Sequence, residues 1–206
     1  WCYEQNGLFA RALAALGFAV TPLSAGVMRQ DDGRVMMGSH LCLKVTVDSA
    51  EWLADVGFGA ALLEPVPLVT HDWDQGVLTG TLAPLEDDDH WRLAIITGPM
   101  PLSYVFLNRP ADEAELDALC LWQGRDAESV FVQNLVVQRR LPDSHVMLRG
   151  KVLTRTGPQS ETRELASAEE LVTELRETFT LDLPEAADLW ARVEVRHAEL
   201  FAEKAS

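Results

Sequence analysis

Two alternating strands joined by a two-residue turn constrain this chain more than any other feature. In His40 to Val47, His40, Cys42, Lys44 and Thr46 fall on one face and Leu41, Leu43, Val45 and Val47 on the other. Glu51 to Val56 reads as the next strand, with Asp48-Ser49 as the hairpin turn. If those two residues form the whole loop, Val47 faces Ala50, and Asp55 falls opposite Cys42 and diagonal to His40 on one sheet face. Diagonal neighbours lie about 7–8 Å apart at Cα, a gap that an imidazole and a carboxylate can close. A one-residue slip would send the two to opposite faces.

Around this hairpin the order is helix, β-rich middle, helical end. Residues 3–16 place Leu8, Phe9, Ala12, Leu13 and Leu16 at helical spacing, and Gly17 ends the pattern. Phe18 to Leu23 is a short β-like run, residues 29–39 are polar and loop-like, and Gly and Pro punctuate residues 57–70. Strands are expected at 91–96, 103–107, 130–139 and 145–155, with a helix at about 111–121 between them. Ser167-x-x-Glu170 is a capping box ahead of Leu171, Val172 and Leu175, and Pro184 opens a last helix.

Composition narrows the function. The net charge of −15 over 206 residues argues against nucleic-acid or anionic-membrane binding, since a polyanion is repelled. No apolar run approaches the roughly 20 residues of a membrane helix, and no secretory leader is visible. Three cysteines without framework or C-x-x-C spacing point to reduced thiols in a cytoplasm. The pattern is already under way at Trp1, so the natural polypeptide is expected to begin upstream.

Cys2 lies at the start of the first expected helix, where unpaired amides and the helix dipole favour an anion. The thiolate is the nucleophilic form of cysteine, and it needs a base, normally His, oriented by a carboxylate or amide. His40 and Asp55 meet that need through the hairpin. A cysteine near a helix start is also found simply as a buried apolar residue. Residue types and spacing alone leave both readings open.

Local sequence points further. Trp-Cys-Tyr-Glu-Gln-Asn-Gly-Leu-Phe (1–9) resembles the nucleophile segment of the arylamine N-acetyltransferases, with Glu4 and Asn6 two and four residues after Cys2. Leu-Gly-Phe (16–18), His-Leu-Cys-Leu-Lys-Val (40–45) and Trp-Leu-Ala-Asp-Val-Gly-Phe-Gly (52–59) resemble the following blocks in the right order, and residues 129–139 are similar to a Ser-x-Phe segment beyond them. The Arg-Gly-Gly that precedes the nucleophile in that family, and the helical bundle before it, do not fall within this chain.

The resemblance implies an α+β fold in three regions: a remnant of an N-terminal helical domain carrying the nucleophile (1–22), a β-barrel domain (23–120) and a C-terminal α/β lid (121–206). It implies Cys2, His40 and Asp55 as catalytic triad, and a ping-pong reaction in which acetyl-CoA acetylates Cys2 and an arylamine or hydrazine takes the acetyl group. Val27, Phe58 and Phe131 match acceptor-pocket positions, and Gly57 and Gly59 would let the cofactor's pantetheine arm pass. Where the family often has a further Gly, this chain has Ala60. An amide synthase using the same triad on an aryl-amine polyketide chain is the alternative within the family. A thiol hydrolase of papain or transglutaminase type shares the Cys…His…Asp order, but the quoted blocks do not resemble those families. A non-catalytic binding module with a fossil site is the third reading. A homo-oligomer is compatible with the sequence. His71 and His90 lie near Asp72, Asp74 and 87–89, but loose acidic loops are usually solvated and no metal is assigned. Cys42 and Cys120 read as core thiols, Arg139-Arg140 as a solvated strand end with a phosphate contact as the alternative, and His145 and His197 as surface residues.

Overall fold

The computed structural model describes residues 1–28, 36–59, 62–86, 89–96 and 102–202. Of the predicted loop at 29–39, residues 29–35 lie outside them, as do Ala60 and residues 87–88. Two compact units divide the chain, Trp1–Trp122 and Gln123–Ser206.

The first unit opens with α1 (Cys2–Ala15). Gly17, at φ +92°, turns the chain into β1 (Ala19–Met28). β2 (His40–Val47) and β3 (Ala50–Ala54) form the expected hairpin, with Val47 opposite Ala50 and Leu43 opposite Ala54. Asp48 and Ser49 both take positive φ, 48° and 68°. That is the primed two-residue turn whose twist suits a hairpin. β4 (Val66–Pro67), β5 (His71–Gln75), β6 (Leu78–Pro84), β7 (His90–Ile95) and β8 (Leu102–Leu107) complete an antiparallel sheet of eight strands, ordered β4-β3-β2-β1-β8-β7-β6-β5. The two edge strands are successive in the chain, so the sheet curls into a nearly closed barrel. At the seam, Gln75 Nε2 donates to Glu64 O at 2.8 Å.

The barrel interior is filled from nearly every strand, by Leu23, Cys42, Leu53, Val66, Trp73, Leu82, Leu93 and Phe106 among others. β2 has no solvent face at its start, because its outward Leu43 and Val45 pack with Phe9, Ala10 and Leu13 of α1. Two of the predicted apolar helix residues, Leu8 and Leu16, are instead exposed. β5 and β6 were not foreseen. In β5 the one buried residue, Trp73, sits between Asp72 and Asp74, and Gly80 interrupts the apolar alternation of β6. A Cβ at Gly80 would lie 2.5 Å from the Trp73 ring, so the large and the absent side chain are a matched pair. Helix α2 (Glu113–Arg125) is longer than predicted.

In the second unit, α3 (Val130–Gln133) replaces the start of the strand predicted at 130–139, because Ser129 caps it, accepting from Phe131 N at 3.3 Å. A short apolar run cannot be assigned to helix or strand by periodicity alone. β9 (Val136–Arg140), β10 (His145–Arg149), β11 (Val152–Thr156) and β12 (Glu161–Glu164) form an antiparallel sheet in the order β12-β11-β10-β9. The predicted strand at 145–155 is thus a hairpin, turning at Gly150 with φ +58°. Helix α4 (Ala168–Glu177) starts at Ser167, whose hydroxyl accepts from Glu170 N at 3.2 Å. It buries Leu171 and Leu175 against Val146, Leu148 and Leu165. Pro184 begins a short 3-10 helix (Pro184–Leu189) that leads into α5 (Trp190–Ala202).

His145 is buried, not at the surface as expected, with Nε2 3.1 Å from Gln138 Oε1. Burial and then the Arg140 charge push its pKa down to about 4. His197 is half-buried. Arg139 donates to Thr178 O at 2.8 Å and Arg140 to Ser144 O at 3.0 Å, so this strand end is tied to backbone carbonyls.

Candidate active site

Everything in this site belongs to the first unit. Cys2 is the first residue of α1 and is buried, with 4% of its surface exposed. His40 is the first residue of β2, and Asp55 directly follows β3. The hairpin register brings them together as the sequence required: His40 Nε2 lies 2.7 Å from Asp55 Oδ2, with both side chains almost wholly withdrawn from solvent. The other carboxylate oxygen, Oδ1, accepts from Asn6 Nδ2 at 2.8 Å, Gly57 N at 2.9 Å and Phe58 N at 3.1 Å. A carboxylate so supplied with donors stays ionised and cannot rotate.

The electrostatics follow from this geometry. Burial would push the His40 pKa down, but the Asp55 charge and hydrogen bond, reinforced by hydrogen bonding and charge from Cys2, hold it up at about 10. For Asp55, burial works upward and is outweighed by His40, Asn6 and Gly57, which keep its pKa below the ordinary value. Asp55 occupies Nε2, so Nδ1 is the ring nitrogen left for Cys2. The His40 ring is wedged between Phe58 and Tyr104, at centroid distances of 5.2 and 4.8 Å. Cys42, opposite Leu23 in the barrel core, has its thiol pKa pushed well up by burial and by Asp55, which suits a packing residue.

Of the residues singled out from sequence, Cys2, His40, Asp55, Gly57 and Phe58 come together here. Val27 is half-buried and is paired across β1 and β8 with Tyr104. Gly59 takes φ +77°. Phe131 belongs to the second unit, where it is 42% exposed. A Cβ on Gly57 would stand 2.6 Å from Cys2 Cα, so this glycine is what lets the post-β3 turn reach the start of α1.

Asn6 and Tyr104 were given no role from the sequence. Asn6 is fully buried and binds three partners: Nδ2 donates to Leu41 O at 2.6 Å and to Asp55, and Oδ1 accepts from Val56 N at 3.0 Å. Its signal was the spacing, since i and i+4 share a helix face and Asn6 stands directly behind Cys2. Tyr104 arrives from a distant strand and left none. Asn6→Ala orphans buried groups on three segments, and we expect it to cost about 1–3 kcal/mol in urea unfolding. A loss below about 0.5 kcal/mol would mean that water replaces the amide fully.

A buried imidazole–carboxylate pair beside a thiol at a helix start is the equipment of covalent acyl chemistry through cysteine. The N-acetyltransferase family model matches residues 1–188. Arylamine N-acetyltransferase of Mycolicibacterium smegmatis is 32% identical over 202 residues, covering 94% of this chain and 73% of that protein. The chain therefore belongs to the arylamine N-acetyltransferase family of acyltransferases. A solved M. smegmatis arylamine N-acetyltransferase superposes with a TM-score of 0.82 at 30% identity, over 94% of this chain and 73% of that one. The Mycobacterium marinum enzyme, solved in complex with CoA, shares the fold at 24% identity, with a TM-score of 0.82 over 95% of this chain and 74% of that one. A shorter match, 42% identical over 69 residues and 32% of this chain, is to proansamycin X synthase of Amycolatopsis mediterranei.

Proposed function

We propose that this chain transfers an acetyl group from acetyl-CoA to an arylamine or hydrazine through an acetyl-cysteine intermediate on Cys2. The observation that carries the reading is the buried His40–Asp55 pair beside Cys2. In the first half-reaction the Cys2 thiolate attacks the thioester carbonyl, and CoA leaves with the proton held by His40. In the second, the amine attacks the acetyl-cysteine carbonyl, His40 takes the amine proton, and the thiolate is released as the amide forms. Asp55 holds the ring orientation and stabilises the imidazolium. Val27 and Phe58 are assigned to the acceptor's apolar walls. Gly57 and Gly59 are assigned to the donor's pantetheine arm.

The working compartment is proposed to be the cytoplasm, in keeping with free Cys2, Cys42 and Cys120. Among the described residues no helix is long and apolar enough to cross a membrane.

The test separates the two half-reactions. Mixed with acetyl-CoA and no acceptor, the protein should gain one acetyl group by intact mass spectrometry and release one equivalent of CoA, with Cys2→Ala as the silent control. Adding an arylamine should then discharge it. Absence of any acetylated species under donor excess would remove the intermediate. The match to proansamycin X synthase favours one second reading, an amide synthase that charges Cys2 with a polyketide acyl chain. That enzyme would refuse acetyl-CoA but accept a longer aryl-amine thioester.

A further inference from the structure

Within Gln123–Ser206 a cavity of about 220 Å³ is lined by the α3 segment, the β10–β11 turn and α5. Its lining includes the apolar Leu135, Leu189 and Val193. It also includes three cations, Arg149 at the end of β10 and Arg192 and Arg196 one turn apart on α5. Among the described residues no Asp or Glu lines it, although the whole chain carries a net charge of −15.

The arginines are positioned before any ligand arrives. Arg192 Nη2 is 3.3 Å from Val132 O, and Arg196 Nε is 3.1 Å from Asn134 Oδ1, both acceptors on lining residues. Glu199 engages only Nη1 of Arg196, at 2.9 Å along the helix. Arg149 is exposed and has no carboxylate partner among the described residues. Guanidinium donors therefore remain available on more than one side of the same small space.

We propose that this cavity binds the phosphate-monoester head of an organic ligand. A monocarboxylate is satisfied by one guanidinium fork, whereas a phosphate monoester carries about −1.5 to −2 charge and three acceptor oxygens, a match for several forks at once. The apolar lining residues receive the carbon that bears the phosphate. The volume lies below the roughly 300–1,000 Å³ of pockets that engulf drug-sized ligands, so the site takes a head group and leaves the rest of a larger molecule outside. Two sources share this chemistry, a small free phosphomonoester and the 3′-phosphate of CoA. Only the second rests on the acyl-donor reading above.

Phenyl phosphate is the probe, with benzoate as a control of the same ring and a single charge. Titrated into the whole chain at low salt by calorimetry, phenyl phosphate should bind at least about tenfold tighter than benzoate. Arg149→Gln, an exposed change that circular dichroism should show to leave the fold intact, should weaken it by about tenfold, and Arg149→Lys should restore part of the loss. The two sources part in a second arm. If Arg149→Gln raises KM for acetyl-CoA but not for acetyl-3′-dephospho-CoA, the head group is that of the donor. If neither KM moves while phenyl phosphate still loses affinity, it is a free phosphomonoester. Equal binding of phenyl phosphate and benzoate, or coincident titrations of wild type and Arg149→Gln, would overturn the proposal. The titration decides even if the chain transfers no acetyl group, so the two readings can fail separately.

Discussion

Asp55→Asn is expected to lower kcat/KM for acetyl transfer by about 1,000- to 10,000-fold while leaving the fold standing, the scale seen when an orienting carboxylate in a triad becomes an amide. The three donors from Asn6, Gly57 and Phe58 all meet Oδ1, which an amide oxygen can replace. That orientation turns the new amide NH2 toward His40 Nε2, where the ring must then act as acceptor, so the imidazolium loses its partner. The pH dependence gives an independent readout. The folded pKa of His40 is about 10 against an ordinary value of 6.5. Stabilisation from this group is therefore complete below about pH 6.5 and disappears as pH rises through about 10. Asp55, whose pKa is lowered, contributes stability above the ordinary carboxylate range that is lost in acid. Urea unfolding of the wild type should thus weaken between pH 6.5 and 10, and Asp55→Asn should flatten that stretch. Activity within tenfold of wild type, or an unchanged slope, would remove Asp55 from the orienting role.

Gly57→Ala should cost about 100-fold in kcat/KM and about 1–3 kcal/mol in stability. The added methyl would stand 2.6 Å from Cys2 Cα and 2.7 Å from Asn6 Nδ2. The first of these is main chain at the helix start, and the second is an amide already bound to two acceptors, so neither can simply swing aside. Relief requires α1 and the post-β3 turn to separate, and that shift is the distance between sulfur and imidazole. The expected outcome is a loss of thiol alkylation rate that exceeds the loss of melting temperature. Wild-type values for both would mean that the turn re-forms without moving Cys2.

The hairpin was legible because its alternation and two-residue turn leave one register, and that register alone brings His40 and Asp55 onto one sheet face. Cys2 was legible as a helix start. The remainder of the pocket was not. Tyr104 reaches His40 only because β8 pairs with β1 across the sheet, a contact that no local pattern encodes. Gly57 was read as room for a cofactor, while its nearest neighbours are Cys2 and Asn6. β5 and β6 escaped notice because a barrel wall with one Trp packed over one Gly shows no regular apolar period. At 130–133 the cap on Ser129, not hydrophobicity, decides the helix.

The seam of the barrel has a consequence for how such a protein survives at high concentration. A sheet of eight strands ordinarily ends in two rows of unsatisfied amides, which recruit strands from other molecules. Here one terminal strand is only two residues long, and the other lends its Gln75 side chain to the backbone at Leu63 and Glu64. A single carboxamide thus occupies main-chain sites that a stranger's backbone would otherwise claim, and it guards against fibrillar self-association without adding a strand.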